Sequence, residues 1–497
     1  MGHAEESEKV LTSGAGVPLP SDQYTKSAGK YGPLLMEDFA YLEKSAHFNR
    51  ERIPERVVHA VGAGAHGTFK VTDDISHLSC AKIFGEVGKE TPLFARFSTV
   101  ARSKGGGDIY RDVRGFAVNF DTEDGVWSMV GNMTPIFFVR DPIRFMDFIH
   151  SQKEHPEKYW RQDSMWWDFW SHTPESVHQV LLLMSDMGAP MGWRHHNGYG
   201  SHTFSLINDK GEHVWCKFHF KTEQGRKFFT EEQWQRLEGV EPRWATKDLF
   251  QAIDDGNFPK WTMYIQTMTD EQAKNFKWNP FDLTKVWPHK DFPLQKVGVM
   301  ELNRNPDNYY AEVEQSAFAP HNVVPGIGLS PDPMLQARVH SYADAHRYRL
   351  GVNYEQIPVN KPKNSEVNSP YRDGAMRVDG NYGSRINYGR TSQAYPQIDS
   401  KRHPELSYKV EGAVQRSDWG AEDDIYEQPK MFLDVLKDDE VERMIGNISG
   451  SLGACPKETR ERQLGIFKKI DEKFAERIEK AMEGFEAPKL EFTPGKE

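Results

Sequence analysis

The chain has 497 residues, room for one large core or for two to four domains of about 150 residues each. Its formal net charge of -11 offers no basic surface to a nucleic acid or an anionic membrane, and small neutral partners suit it better. Three widely spaced cysteines, Cys80, Cys216 and Cys455, form neither a disulfide framework nor a CxxC metal clip, so a reducing, intracellular setting is expected.

The first residues, MGHAEESEKV, lack the apolar core of a signal peptide, and no run reaches the roughly 18 apolar residues of a membrane span. Residues 1–55 are polar and rich in Gly, Ser and Pro ahead of Pro33-Leu34-Leu35-Met36, and read as an extended arm without its own core. From 56 to 305 short β-like runs dominate, among them 67–72, 115–120 and 214–220. Their mixed alternation predicts antiparallel strands, closed or nearly closed, with helical inserts at about 165–187 and 230–255. From 306 to 420 the composition shifts to Pro, Gly, Asn and Tyr with little periodicity, the mark of irregular chain packed over something else. From 421 to 497 helical spacing returns, and Phe467, Ile470, Phe474, Ile478, Met482 and Phe485 predict one apolar helix face. The terminal Pro494-Gly495-Lys496-Glu497 is not an SKL-type peroxisomal address.

Two segments carry residues suited to chemistry. In the first, Gly62, Gly64 and Gly67 spell a formal GxGxxG, but Thr68-Phe69-Lys70-Val71-Thr72 continues as a strand where a dinucleotide fingerprint would open a helix. The small residues read better as room for a bulky flat ligand. His59, three residues after Arg56, is of the type best able to take and return a proton near neutral pH, although a lone histidine in an apolar stretch is more often structural. In the second segment Arg338 stands four residues before Tyr342 and Arg349 seven after it, one face if helical. A phenol with an ordinary pKa of about 10 is a poor anionic ligand at neutral pH, but a ferric ion and a guanidinium both favour the phenolate. An exposed tyrosine on a surface helix is the plain alternative.

These segments, together with Arg96-Phe97-Ser98-Thr99-Val100, Arg111 to Val118, Gly131 to Pro142, Asn197 to Phe204 and Phe281 to His289, resemble the monofunctional haem catalases of small-subunit type, as found in fungi and animals. The resemblance covers nearly the whole chain from about Pro33. It implies an α+β fold: an N-terminal arm (1–55), an antiparallel eight-stranded β-barrel that binds haem (56–305), a wrapping segment with the proximal helix (306–420) and a C-terminal helical domain (421–497). It also implies disproportionation of hydrogen peroxide to water and dioxygen through an oxoferryl porphyrin radical, with minor peroxidase activity, in defence against peroxide.

By the same resemblance Tyr342 is the ligand of a ferric haem, expected to be haem b, and Arg338 holds its phenolate. His59 is the distal acid and base, Asn132 the second distal group, and Ser98 the partner of the far nitrogen of His59. Arg56, Arg96 and Arg349 match the arginines that bind the haem propionates. Phe145 matches the ring stacked on the porphyrin, Phe137 and Phe138 line the distal side, and Val58, Ser201, Met334, Ser341 and His346 complete the haem contacts. Val100 and Asp112, with Phe138, are expected in the channel. His178, Ser185, Asn197, Lys221, Trp287 and His289 match an outer NADPH site, but Met187 stands where NADPH binders carry a phosphate-gripping arginine, so NADPH stays open.

Departures from the family pattern are His340 and His66, both where phenylalanine is usual, and Met133 beside Asn132. His340 is expected either as a hydrogen-bonded histidine in an aromatic slot or as a perturbation of the proximal side or the haem periphery. The resemblance further implies a homotetramer with exchanged N-terminal arms, with no nucleic acid or membrane partner, in cytoplasm or peroxisome. Two other readings are weighed: a haem protein of the same fold that oxidises organic substrates, and a non-enzymatic haem or NADPH carrier.

Overall fold

The structure, a computed structural model, describes residues 9–416, 418 and 420–484. The first eight residues of the leader reading, Phe485 of the apolar helix face and the terminal tetrapeptide lie outside the described residues. The chain separates into two compact units, residues 1–55 and 56–497.

In the first unit, isolated bridges pair Thr12 with Pro18 and Ser27 with Leu34. The arm is not extended throughout, because α1 spans Phe39–Phe48. Asp38 caps it by accepting from Tyr41 N, and Ala40, Leu42, Glu43, Lys44 and Ala46 are good helix formers. None of its residues is buried.

In the second unit the predicted strands become β1 (Gly62–Val71), β2 (Glu90–Ser98), β3 (Gly115–Thr122), β4 (Gly125–Asn132), β5 (Gly198–Tyr199), β6 (Phe204–Ile207), β7 (His213–Thr222), β8 (Lys260–Met268) and β9 (Gln295–Arg304). All ladders are antiparallel. β5 and β6 pair with the same edge of β7 and act as one interrupted strand, and β7 pairs with β8 on its other edge. The circuit β1-β2-β3-β4-β5/β6-β7-β8-β9 therefore closes into the expected eight-stranded barrel. A short β10 (Ile327–Gly328), from beyond residue 305, adds to β6.

Eight strands leave an interior just wide enough for side chains, and here aromatic rings fill it. Phe120 stacks on Trp127 at 4.7 Å, Trp127 meets Phe218 at 5.2 Å, Phe116 meets Phe220 at 5.3 Å and Phe97 stacks on Trp261 at 5.5 Å. The GxGxxG lies within β1, as the strand reading required. Its last glycine serves closure of the barrel: a Cβ on Gly67 would lie 1.9 Å from Glu301 O of β9.

The helical inserts are α2 (Arg144–Gln152), α3 (Asp163–Ser171), α4 (Val177–Met184), α5 (Glu231–Val240), α6 (Trp244–Asp254) and α7 (Asp270–Asn275). A π-helical turn, Tyr309–Glu314, precedes α8 (Pro333–Leu350), which starts with Asp332 as N-cap and Pro333 in its first turn. The tail holds α9 (Glu427–Asp434), α10 (Asp438–Leu452), α11 (Lys457–Ile470) and α12 (Glu472–Met482). The single apolar face expected here is split between two helices, because Asp471 takes an extended conformation and caps Phe474 N. Phe467, Ile470, Phe474, Ile478 and Met482 are nonetheless all buried, in one cluster with α3 and α4. Among the described residues no helix is long and apolar enough to cross a membrane.

Candidate active site

One cross-strand row of the barrel organises the site. Gly62 of β1 pairs with Ser98 of β2, Ser98 with Gly115 of β3, Gly115 with Asn132 of β4 and Asn132 with Tyr199 of β5. Residues directly opposite one another in a sheet project from the same face, so Ser98 and Asn132 flank Gly115. The bare backbone of Gly115 makes room for His59: a Cβ there would lie 2.5 Å from Ser98 Oγ and 2.6 Å from His59 Nδ1.

His59 sits in this gap with φ of 63°, a left-handed conformation that a non-glycine residue keeps only when its surroundings impose it. Its backbone N–H donates to Val100 O at 3.0 Å, and its Nδ1 is 2.9 Å from Ser98 Oγ. Burial, with Arg96 and Arg338 nearby and Asp112 opposing, pushes its pKa down to about 3, so the imidazole is neutral at ordinary pH. Asp112 itself is buried and fully engaged. Its Oδ2 accepts from Val100 N, Ala101 N and Tyr110 Oη at 2.7, 2.9 and 2.6 Å, and its Oδ1 from Val113 N at 2.8 Å. It thereby fixes the turn that holds His59.

Tyr342 is half-buried on α8, and its hydroxyl oxygen accepts from Arg338 Nη2 at 2.7 Å across one helical turn. Arg338 Nη2 also donates to Val130 O at 3.0 Å, and Nη1 to His202 Nε2 at 2.6 Å. His202 Nδ1 in turn lies 2.7 Å from Asp332 Oδ2, both side chains being buried. Burial works against the Asp332 carboxyl, but His202 and the α8 amide of Leu335 hold it below the ordinary range. A carboxylate, an imidazole and a guanidinium thus end on the Tyr342 oxygen. His202 and Asp332 were not among the sequence candidates, although Asp332-Pro333 is itself a helix-start signal.

Two of the three arginines, Arg56 and Arg349, converge on one segment, and Arg96 bonds elsewhere. Arg56 Nη2 donates to Val313 O, Glu314 O and Ser316 O, while Arg349 donates to Glu314 O at 2.8 Å and Ser316 O at 3.3 Å. Arg96 Nη2 reaches Ala60 O at 3.3 Å. Removal from water and the neighbouring Arg96 and Arg349 hold Arg56 well below its usual value, and burial brings Arg349 to about 10. Arg56 Nη1 and Arg96 Nε are buried without a partner. A cluster this rich in cation, with donors left over, is built for a ligand bearing carboxylates. The carboxylate already there, Glu314, is buried 3.7 Å from Arg349 and was not anticipated from the sequence.

The apolar candidates share one cluster: Val58, Val100, Phe137, Phe138, Phe145 and Met334. Phe137 stacks on Phe145 at 5.9 Å and meets Phe138 edge-on at 5.5 Å. Ser201, with φ of 62°, donates to Thr134 O at 3.0 Å, and buried His346 is 2.9 Å from Phe318 O. Ser341 is exposed. So is His340. His66 pairs with Glu312 of the π-helical turn at 3.0 Å and packs on Phe94.

Of the outer set, Asn197 and Lys221 both donate to the Tyr199 hydroxyl, at 3.1 and 3.0 Å. His289 packs on His219, whose partner Gln266 also donates to Trp287 O. His178 lies in α4 and Ser185 at its C-cap, where the Ser185 hydroxyl accepts from Met187 N at 3.3 Å. His178 Nδ1 and Trp287 Nε1 are buried without a partner. Arg226 Nη1 approaches Met187 Sδ at 3.5 Å.

Comparisons with known proteins agree with this geometry. Residues 12–395 match the family model "Catalase", and residues 419–482 the model "Catalase-related immune-responsive". The chain is 50% identical to "Catalase A" of Pseudomonas putida over 95% of its own length and 98% of that protein, and 50% identical to "Catalase" of Sus scrofa over 95% and 88%. Among solved structures, "Catalase A from Saccharomyces cerevisiae" superimposes with a TM-score of 0.91 at 41% identity, over 95% of this chain and 99% of that one. With the family model spanning most of the sequence and the barrel matching a solved member from end to end, the chain belongs to the catalase family.

Proposed function

We propose that the disproportionation of hydrogen peroxide to water and dioxygen, the activity of this family, is carried here by His59, Asn132 and Ser98, which would handle the peroxide, and by Tyr342, which would hold the iron of a haem. The observation that carries the reading is the seat of the His59 imidazole over Gly115, between Ser98 and the strand that ends in Asn132. Haem, when bound, supplies an iron and a macrocycle able to store the two oxidising equivalents of one peroxide.

His59 Nδ1 is 2.9 Å from Ser98 Oγ, and with the ring proton on Nδ1 directed at that oxygen, Nε2 would keep a lone pair. That nitrogen takes a proton from one peroxide oxygen and returns it to the other, and its depressed pKa keeps it ready to accept over the whole neutral range. Asn132 orients the peroxide through its amide. Val58, Val100, Phe137 and Phe138 exclude bulk water. Arg56, Arg96 and Arg349 would hold the propionates, Phe145 would stack on the macrocycle, and Ser201, Met334, Ser341 and His346 would complete its surround. Arg338, steadied by His202 and Asp332, holds the Tyr342 oxygen, the atom that would ligate the iron.

The finer readings belong to the same proposal: ferric haem b, a homotetramer in which residues 1–55 thread under neighbouring subunits, and the division at residues 305 and 420. Were NADPH bound, His178, Ser185, Asn197, Lys221, Trp287 and His289 would hold it. The unpartnered His178 Nδ1 and Trp287 Nε1 suit such a ligand, and Met187 supplies no guanidinium to its 2′-phosphate. Retention of the full proton-handling set favours peroxide disproportionation over organic-substrate oxidation or haem carriage. An absorption spectrum and an oxygen-electrode trace test the proposal. Rapid oxygen release by the haem-bearing protein, lost in His59→Ala with the haem band retained, is expected; undiminished release from His59→Ala would refute it.

A further inference from the structure

Behind Phe138 the apolar cluster runs into α3, whose sequence from Asp163 to Ser171 carries Trp166, Trp167 and Trp170. Phe138 and Trp170 are parallel, their planes 1° apart and their centroids 5.7 Å apart. Trp170 meets Trp167 edge-on at 5.0 Å, and both indoles are buried, at 2% and 0% exposure. Three residues apart on a helix, they share one face.

Packing explains the rings, but it does not explain how differently their N–H groups are treated. Trp170 Nε1 is buried without a partner. Trp167 Nε1 donates to Ser451 Oγ at 2.8 Å, and Ser451 donates to Asp163 Oδ2 at 2.6 Å. This chain reaches from one helix to another and back: Ser451 belongs to α10, while Trp167 and Asp163 both belong to α3. Burial raises the Asp163 carboxyl, partly offset by Ser451 and Arg161, so it is a receptive base for the environment it occupies.

Indole is among the most easily oxidised side chains, and once it has lost an electron its N–H becomes strongly acidic. An oxidised Trp170 has nowhere to send that proton, whereas an oxidised Trp167 has a two-step route to a carboxylate. We propose that Trp170 and Trp167 form an electron-donor site. In it, one electron leaves Trp167 through Trp170 for the peroxide-oxidised centre, while the Trp167 Nε1 proton passes to Ser451 Oγ and the Ser451 hydroxyl proton to Asp163. The step balances. The centre gains one electron, Trp167 becomes a neutral indolyl radical, Asp163 becomes a carboxylic acid and Ser451 is unchanged. The oxidant is the centre itself after its first encounter with hydrogen peroxide, so the inference rests on the function proposed above. Its use would be to take one of the two oxidising equivalents off that centre when a second peroxide is slow to arrive.

The test uses the purified haem-bearing protein, grown with ring-deuterated tryptophan or with ordinary tryptophan, mixed with peroxyacetic acid and freeze-quenched for electron paramagnetic resonance. A radical whose hyperfine structure narrows on tryptophan deuteration, and which is lost in Trp167→Phe while oxygen release from hydrogen peroxide is unchanged, is expected. Ser451→Ala keeps the indole and its packing, and should lower the radical yield or leave the radical protonated. That variant covers the case in which Trp167→Phe fails to fold. A wild-type radical indifferent to tryptophan deuteration, or one that persists in Trp167→Phe, overturns the donor site and leaves the peroxide reading intact. A wild-type protein that releases no oxygen overturns both.

Discussion

Replacing Gly115 by alanine isolates the packing that seats His59. The added methyl would sit 2.6 Å from His59 Nδ1, 2.9 Å from Cε1 and 2.5 Å from Ser98 Oγ. Ordinary carbon contacts begin near 3.4 Å, so something must give by about 0.8 Å. β3 is hydrogen-bonded on both edges, to β2 and β4, and cannot retreat without breaking two ladders. The imidazole therefore moves. A misplacement of this size near reacting atoms costs about 100-fold in rate, and overpacking of a dense interior costs about 1–3 kcal/mol in stability. Oxygen-electrode turnover beside a thermal melt reads both quantities. Adding Ser98→Ala removes the 2.5 Å clash but not the one with the ring, so the double variant should recover stability more than turnover. Near-wild-type turnover in Gly115→Ala, with the fold intact, would show that the seat of His59 does not govern the chemistry.

Three further outcomes follow from the same geometry. Asp332→Ala strips His202 of its buried partner and α8 of its N-cap, and should lower stability by roughly 3–5 kcal/mol, seen by calorimetry; an unchanged melt would refute the network. His59, His178 and His196 are held at about 3 and His346 at about 4, so the folded state resists protons that the unfolded chain binds below about 6.5. Stability is therefore full above pH 6.5 and falls as pH drops toward 4, which melts at pH 7.5, 6 and 5 would show as a steady decline. His66→Phe frees Glu312 from the barrel and should cost about 1 kcal/mol while turnover stays near wild type, measured by denaturant titration and oxygen release.

The strands were readable as short β-like runs such as 115–120 and 214–220, whose mixed alternation matches their burial on both faces, whereas the count of eight came from the family resemblance. The break at Asp471 was not readable, because five apolar residues keep the spacing of a single helix while one backbone turn between them changes direction. Arg338 and Tyr342 are neighbours on a helix, so their contact is local and the spacing announces it. His202 and Asp332 meet across 130 residues, and no local pattern encodes such a contact. Asp112 shows what a motif leaves unsaid: its oxygens accept from three backbone amides and a phenol, contacts that no local spacing announces. His340 is exposed on α8.

Gly62, Ser98, Gly115, Asn132 and Tyr199 stand on successive rungs of one ladder. The gap between Ser98 and Asn132 is therefore two interstrand pitches, roughly 10 Å, and it is set by amide geometry that no side-chain substitution can stretch. Laboratory evolution toward bulkier hydroperoxides would have to work on the approach to this gauge, since widening the gauge itself means re-registering a closed barrel.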